Sequence, residues 1–206
     1  MSSSATKAAT GAGVSRRGRR GGLTVLLALL AAVALAGCTR DSGWEQNCDT
    51  TPDGVIECAP DSRPGPPEVT GELLDGGRYD LTQDRGQVVV VNFWGSWCAP
   101  CRAEAADLEA TFQATRDSGV RFIGINVQDA RDKAIAFEEG RVSYPSLFDP
   151  ASRLALEFEV LPPNTVPATV VLDRDGRIAV VIRKAVRQET LEPIVARIAA
   201  ERPQDR

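Results

Sequence analysis

Two cysteines spaced by two residues, Cys98 and Cys101, follow directly on the apolar run Val88-Val89-Val90-Val91-Asn92-Phe93-Trp94 and open a segment with helical periodicity. Few features restrict a fold so tightly, because a buried strand must deliver both sulfurs to the first turn of a helix. That helix N-terminus carries partial positive charge and unpaired N–H groups, which stabilise a thiolate. A free thiol with a pKa near ~8.5 is lowered in such a place, to roughly 7 or below. Arg102 acts in the same direction, and Pro100 stiffens the turn between the sulfurs. The stretch reads as a dithiol suited to exchange. Cys98 is expected to be the more exposed, attacking sulfur, and Cys101, on the buried helix face, the resolving one.

Composition removes competing chemistries. The chain of 206 residues has no histidine, so His-based general bases, Cys-His nucleophile pairs and mixed Cys/His metal sites are excluded. A Cys-x-x-Cys pair is half of a zinc site, but Cys48 and Cys58 are its only other plausible ligands and lie far upstream; no metal is expected. Apolar residues at 43% and charged residues at 25% fit an ordinary globular domain. After residue 40 the basic residues are interspersed with acids, so no nucleic-acid stripe is present there. Residues 1–37 hold Lys7, Arg16, Arg17, Arg19 and Arg20 and no acid, a charge of +5; the net charge of −4 leaves −9 on the remainder.

That basic tip is followed by an apolar stretch, Leu23 to Leu35, too short to span a membrane, which needs ~20 residues, but suited to a signal-peptide core. It ends in Leu35-Ala36-Gly37-Cys38, which resembles a bacterial lipoprotein box with Cys38 as the lipidated residue. An uncleaved signal anchor and ordinary cleavage near Gly37 are the alternatives, and Arg16-Arg17 leaves Sec and twin-arginine export both open. Each reading puts the mature domain outside the cytoplasm. Residues 1–37 are thus expected to be a signal peptide and residues 38–67, rich in Asp, Gly and Pro, a tether. Cys48 and Cys58 fall within that tether; in an oxidising compartment a local structural disulfide is expected between them, with electron relay to Cys98 as the other reading.

The domain itself is expected over residues 68–203. Val69–Leu74 and Arg78–Leu81, separated by Asp75-Gly76-Gly77, read as a β-hairpin. Val88–Phe93 reads as a strand buried on both faces. The helix after Cys98 shows Cys101, Ala105, Leu108 and Phe112 on one side and closes at Gly119. Strand Val120–Val127, a short helix from Asp129 to about Gly140, an extended piece Tyr144–Asp149 and a helix from Pro150 to Phe158 follow. A proline loop, Val160–Pro167, leads into strand Ala168–Leu172, a turn at Asp173–Gly176 and a returning strand Arg177–Ile182. The last helix is expected to begin near Thr190, because Pro193 is tolerated only in a first turn.

This order gives an α/β fold with a mixed sheet flanked by helices, and Cys-x-x-Cys in such a unit suggests a thioredoxin-like protein. The segment Asn92 to Glu104, with Trp94, Trp97, Cys98, Pro100 and Cys101, resembles the active-site segment of the TlpA/ResA/DsbE-like thiol–disulfide oxidoreductases. The N-terminal hairpin with Leu74-Asp75-Gly76, a central helical insertion within residues 129–140 and the loop Thr165-Val166-Pro167-Ala168-Thr169 also match. Ala106 departs from the family, where proline is usual, and Asn92 stands where thioredoxin has a buried aspartate. That leaves Glu104 as the candidate for proton handling.

The resemblance implies a cis Pro167, with the Val166 backbone binding substrate beside Cys98, and Trp97 partly covering the dithiol. It implies a monomer that needs no cofactor beyond the Cys98–Cys101 disulfide. The expected task is reducing disulfides of exported proteins such as apocytochrome c, with electrons from a membrane thiol-transfer protein and a lipid anchor at the outer face of the cell membrane. Two alternatives remain: an extracytoplasmic oxidant that forms disulfides, and a domain whose disulfide is purely structural.

Overall fold

The computed structural model describes residues 43–202. The apolar stretch Leu23–Leu35 and the candidate lipidation site Cys38 lie outside the described residues. Within them, no helix is long and apolar enough to cross a membrane.

The valine run forms the central strand. Strand β5 (Val88–Trp94) is buried along its whole length, because its alternating side chains enter two different cores. Val88 and Val90 pack with Leu108, Phe122, Leu191, Val195 and Ile198, while Val89, Val91 and Phe93 pack with Ile123, Ile125, Phe158 and Leu161. A residue's face follows from its parity, so four valines in a row serve both sides.

With β1 (Cys48–Thr50) and β2 (Val55–Cys58) at one edge, seven strands form one sheet around β5 in the order β1-β2-β9-β8-β5-β6-β7. Strands β6 (Val120–Val127) and β7 (Ser146–Asp149) run parallel to β5. On the other side, β8 (Ala168–Leu172) is antiparallel to β5, and β9 (Ile178–Ile182) is antiparallel to β8. The hairpin of β3 (Thr70–Glu72) and β4 (Arg78–Asp80) is a separate two-stranded sheet, bridged to the large one by Leu73 and Leu147. Helix α1 (Ala99–Thr115) and helix α3 (Gln188–Ala199) supply the apolar groups on the Val88 face. The short helix α2 (Arg131–Glu138) buries Ala134 against Trp94 and the two cysteines. The hairpin, the central strands and α1 thus stand where the periodicity places them.

Three expectations are corrected. Residues 43–67 are not a free tether, for β1 (Cys48–Thr50) and β2 (Val55–Cys58) form a hairpin whose second strand pairs with β9. Val55 and Ile56 are buried on that edge. The proline segment after the hairpin is pinned as well: Ile178 N donates to Pro64 O at 3.0 Å, and the Arg177 guanidinium donates to Pro60 O and Arg63 O. Buried Arg63 clamps the segment, donating to Cys58 O, to Asp173 at 3.0 Å and to Glu201 at 2.6 Å. Tether-like composition concealed a sheet edge.

Second, no α-helix runs from Pro150 to Phe158; a single 3-10 turn covers Leu154–Glu157. Ser152 at φ 53° breaks the right-handed path, so the Asp149 carboxylate accepts from the N–H groups of Arg153 and Leu154 instead. Third, α3 starts at Gln188 and holds Pro193 inside. Its first N–H is taken by Asp107 of α1 at 3.0 Å, an external cap that fixes the start two residues early.

Candidate active site

Because β5 and β6 are parallel and β8 runs against them, the C-terminal ends of β5 and β6 and the start of β8 share one edge of the sheet. The connections that carry sequence motifs converge there, as is usual in open α/β sheets. Cys98 ends the loop after β5 and caps α1: its sulfur accepts from Cys101 N at 3.2 Å. Cys98 and Cys101 are joined as a disulfide, with Cα atoms 5.3 Å apart. In this oxidised form both are buried, at 4% and 3% exposure. The expected exposure of Cys98 is therefore corrected. Helix α1 begins at Ala99, so Cys98 tucks under its own helix end beside Trp94, Leu74 and Ala134.

Trp97 is the exposed element, at 53%. Its indole folds back on Gly95, where a Cβ would fall 2.5 Å from Trp97 Nε1, and Nε1 donates to Val127 O at 3.2 Å. Pro100 occupies the first turn of α1, where its missing N–H costs nothing. The Val166–Pro167 peptide is cis, and Val166 packs against the cluster that contains both cysteines. The segment implied to bind substrate and the dithiol are thus brought together.

Glu104 lies one helical turn after Cys101 and is 2% exposed. Its Oε1 accepts from Asn92 Nδ2 at 3.0 Å and its Oε2 from Val186 N at 2.9 Å. Burial pushes its pKa up to about 7, against the Val186 and Asn92 donors, which favour the charged form. A group that titrates there accepts or releases a proton at physiological pH. At 2% exposure, Glu104 is not an ordinary solvent-facing glutamate of a first helical turn.

Sequence reasoning missed a second set of polar residues. Asp129 holds the loop before Cys98, its carboxylate accepting from Ser96 N at 2.6 Å, Ser96 Oγ at 2.9 Å and Asn126 Nδ2 at 3.0 Å. Burial pushes Asp129 up, but the Asn126, Ser96 and Ala130 donors outweigh it and keep the carboxyl below its ordinary range. Gln128 Nε2 donates to Asn164 Oδ1 at 2.7 Å, joining the loop after β6 to the loop before β8. Since β5 runs between those strands, this bond crosses its C-terminal end. One signal was available: Asn126 interrupts the apolar run of β6, and a buried polar residue needs a partner.

Cys48 and Cys58 do form a disulfide, across the paired positions of β1 and β2. The sheet register excludes them from the site. Phe93, Ala168, Ile182 and Val55 mark the active-site end, whereas Cys58 follows Glu57 at the other end of β2. Strand spacings of ~4.8 Å and ~3.3 Å per residue put the two disulfides on the order of 20 Å apart. Direct exchange needs sulfur contact, so the relay reading is overturned.

Comparison with known proteins agrees with this geometry. The AhpC/TSA family model matches residues 66–181. A thiol:disulfide interchange protein DsbE from Allochromatium vinosum is 35% identical over 145 residues, 66% of this chain and 77% of that protein. A thiol-disulfide oxidoreductase ResA from Geobacillus thermodenitrificans is 27% identical over 127 residues, covering 61% and 71% of the two chains. Among solved structures, a secreted thiol-disulfide isomerase from Corynebacterium glutamicum matches with a TM-score of 0.69 and 32% identity, over 74% of this chain and 97% of that one. With the dithiol, the thioredoxin-like sheet and these relatives in agreement, the chain belongs to the AhpC/TSA family and is a thiol–disulfide oxidoreductase of the DsbE and ResA kind.

Proposed function

We propose that Cys98 attacks a substrate disulfide, that Cys101 resolves the mixed disulfide, and that the enzyme works as a reductant. Its substrates are exported proteins, apocytochrome c among them, bound along the Val166–Pro167 segment. A membrane thiol-transfer protein returns the electrons. The site faces the outside of the cell membrane, held there by a lipid on Cys38.

The observation that carries the reductive direction is the buried carboxyl of Glu104, one turn from Cys101. A strong oxidant of this class owes its potential to a stabilised thiolate in the reduced form. A carboxylate beside the pair does the reverse, raising the thiol pKa and favouring the disulfide. No histidine exists in the chain to offset it, and Arg102 is exposed. The lipobox-like Leu35-Ala36-Gly37-Cys38 supports the location, as does the secreted relative from Corynebacterium glutamicum.

The test is the reduction potential of the Cys98–Cys101 couple in the purified protein, equilibrated against thiol buffers. A value near about −270 mV, that of thioredoxin, supports the reductant. A value near roughly −120 mV makes the protein an oxidant of exported chains. If no reversible two-electron couple is found, the disulfide is structural.

A further inference from the structure

Helix α2 ends in a carboxyl group that Cys98, Cys101 and Glu104 do not need for exchange. Glu138 is its last residue, where the helix dipole disfavours negative charge. The side chain is partly buried and accepts from Ser146 Oγ, which in turn accepts from Trp94 Nε1 at 3.1 Å. Gly124 leaves room for this row: a Cβ there would collide with Ser146 Oγ and come within 2.8 Å of Trp94 Nε1. Burial pushes Glu138 up to about 7, opposed by the Ser146 hydroxyl. An acid held at an unfavourable helix end in such surroundings is a mark of function.

Glu138 also borders two spaces. Inside is a cavity of about 10 Å³ shared with Cys101, Asn92, Trp94 and Tyr144. Outside is a groove of about 390 Å³ lined by Leu74, Asp75, Ile135 and Glu139. Only Glu138 and Val142 line both, and only Glu138 of the two can hold a proton. The inner cavity is about the smallest that admits one water, with Asn92, Tyr144 and Glu138 as polar partners. The titratable and charged groups around Glu138 are Glu104 and Glu109 of α1, Tyr144 before β7, Asp75 in the hairpin turn, and Glu139 and Arg141 beside it.

We infer that Glu138 takes the proton of Cys101 during resolution and releases it into the outer groove, a second proton outlet besides Glu104. This rests on the proposed roles of Cys98 and Cys101. In the step, the Cys101 S–H bond breaks and the proton passes through the cavity to a carboxylate oxygen of Glu138. The sulfur electron pair then attacks Cys98 Sγ. The bond between Cys98 and the substrate sulfur breaks, and the substrate leaves as a thiolate. The two cysteines lose two electrons and the substrate disulfide gains them.

The test mixes the reduced full-length protein with a stoichiometric aromatic disulfide whose released thiolate is coloured. The first release reports attack by Cys98, and the second reports resolution by Cys101. Glu138→Gln keeps an acceptor for Ser146 but cannot take a proton. It is expected to slow the second release about tenfold between about pH 6 and about pH 7.5, to leave the first unchanged, and to meet the wild type near about pH 9.5, where hydroxide serves instead. Glu138→Asp is expected to recover most of the rate. Second-release profiles that coincide, run faster in Glu138→Gln, or fall equally at every pH overturn the inference. Ser146→Ala supplies the same test if the glutamine variant does not fold: loss of its donor is expected to move the inflection to higher pH, and an unmoved inflection overturns it. A wild-type chain with no second release, or one that persists in Cys101→Ser, sinks the underlying dithiol reading instead.

Discussion

The two disulfides stand at opposite ends of one sheet and are built for opposite purposes. Cys98–Cys101 closes a loop of two intervening residues at a helix N-terminus, with ionisable carboxyls on the helices packed around it. So short a loop removes little chain entropy, and the bond contributes little to the fold. Cys48–Cys58 joins positions 10 apart in the sequence, ties the outermost pair of strands, and borders a buried arginine clamp. One end of the molecule presents a dithiol pair for exchange, the other uses a disulfide to staple a sheet edge.

The sharpest way to break this contrast is to remove each pair in turn. Cys98→Ser is expected to lower disulfide-reductase activity at least about a thousandfold while the thermal midpoint moves little, since removing the attacking thiolate removes the reaction. Cys48→Ser with Cys58→Ser is expected to leave the rate per folded molecule within about twofold and to cost about 3 kcal/mol of stability by the loop-entropy relation. Denaturant unfolding and a turnover assay on both variants decide it. An active-site role for the second pair would show as a rate loss that folding does not explain.

Arg63 sharpens the structural half of the comparison. Its guanidinium and the Asp173 carboxylate are each only 2% exposed as side chains. Arg63→Ala leaves that carboxylate buried without its cation and is expected to cost about 3 to 5 kcal/mol. Urea unfolding measures it, and activity at saturating thiol donor should not change. A cost under about 1 kcal/mol would mean that the clamp is a surface contact and the hairpin a tether after all.

How far this contrast was legible in the sequence depends on the range of the interactions. The central strand, α1 and the hairpin of β3 and β4 follow from local patterns: parity in Val88–Trp94, three- and four-residue spacing in Cys101, Ala105 and Leu108, and Asp75-Gly76-Gly77 as a turn. The β1–β2 hairpin does not, because Val55 and Ile56 are two apolar residues in a polar stretch and acquire meaning only against β9. The site divides the same way. Cys98, Cys101, Glu104 and Pro167 sit in motifs, whereas Glu138 becomes part of it through contacts with Ser146 and the Cys101 cavity, made after the chain has folded. The helix expected from Pro150 fails for a similar reason: Asp149 accepts backbone N–H groups as a cap would, yet Ser152 at positive φ turns the segment into a loop.

The pH response tests the active-site end by itself. Folded Glu104 holds its proton up to about pH 7, while in the unfolded chain it releases it near the ordinary value of 4.5. The folded state therefore binds the extra proton between those values, and stability falls as pH rises through that window. Above about pH 7 the loss is constant. The stability difference between wild type and Glu104→Gln should shift by about 3 kcal/mol across the window, against the wild type at high pH. A flat difference curve would mean that folding leaves the carboxyl at its ordinary value, so that Glu104 would act on the pair as a fixed negative charge and not as a proton carrier.

The smallest expected effect concerns the bond between Gln128 and Asn164. Both residues adopt positive φ, at 52° and 61°, although neither is glycine. Left-handed backbone costs an ordinary L-residue roughly 1 kcal/mol, so each loop is bent toward the other by something beyond its own preference. Their side chains meet across the end of β5, between the loop that anchors Trp97 through Val127 and the loop that carries Pro167. An exposed amide pair contributes only about 1 kcal/mol, too little to set the fold. It is enough to bias the spacing of the two loops that flank the C-terminal end of β5. Asn164→Ala is therefore expected to change KM for a protein disulfide about two- to threefold and to leave kcat and reaction with a small disulfide unaltered. A single-turnover comparison of the two substrates measures it. Equal changes for both would move the bond from substrate admission to support of the dithiol itself, and the active-site end would then be as rigid as the hairpin end.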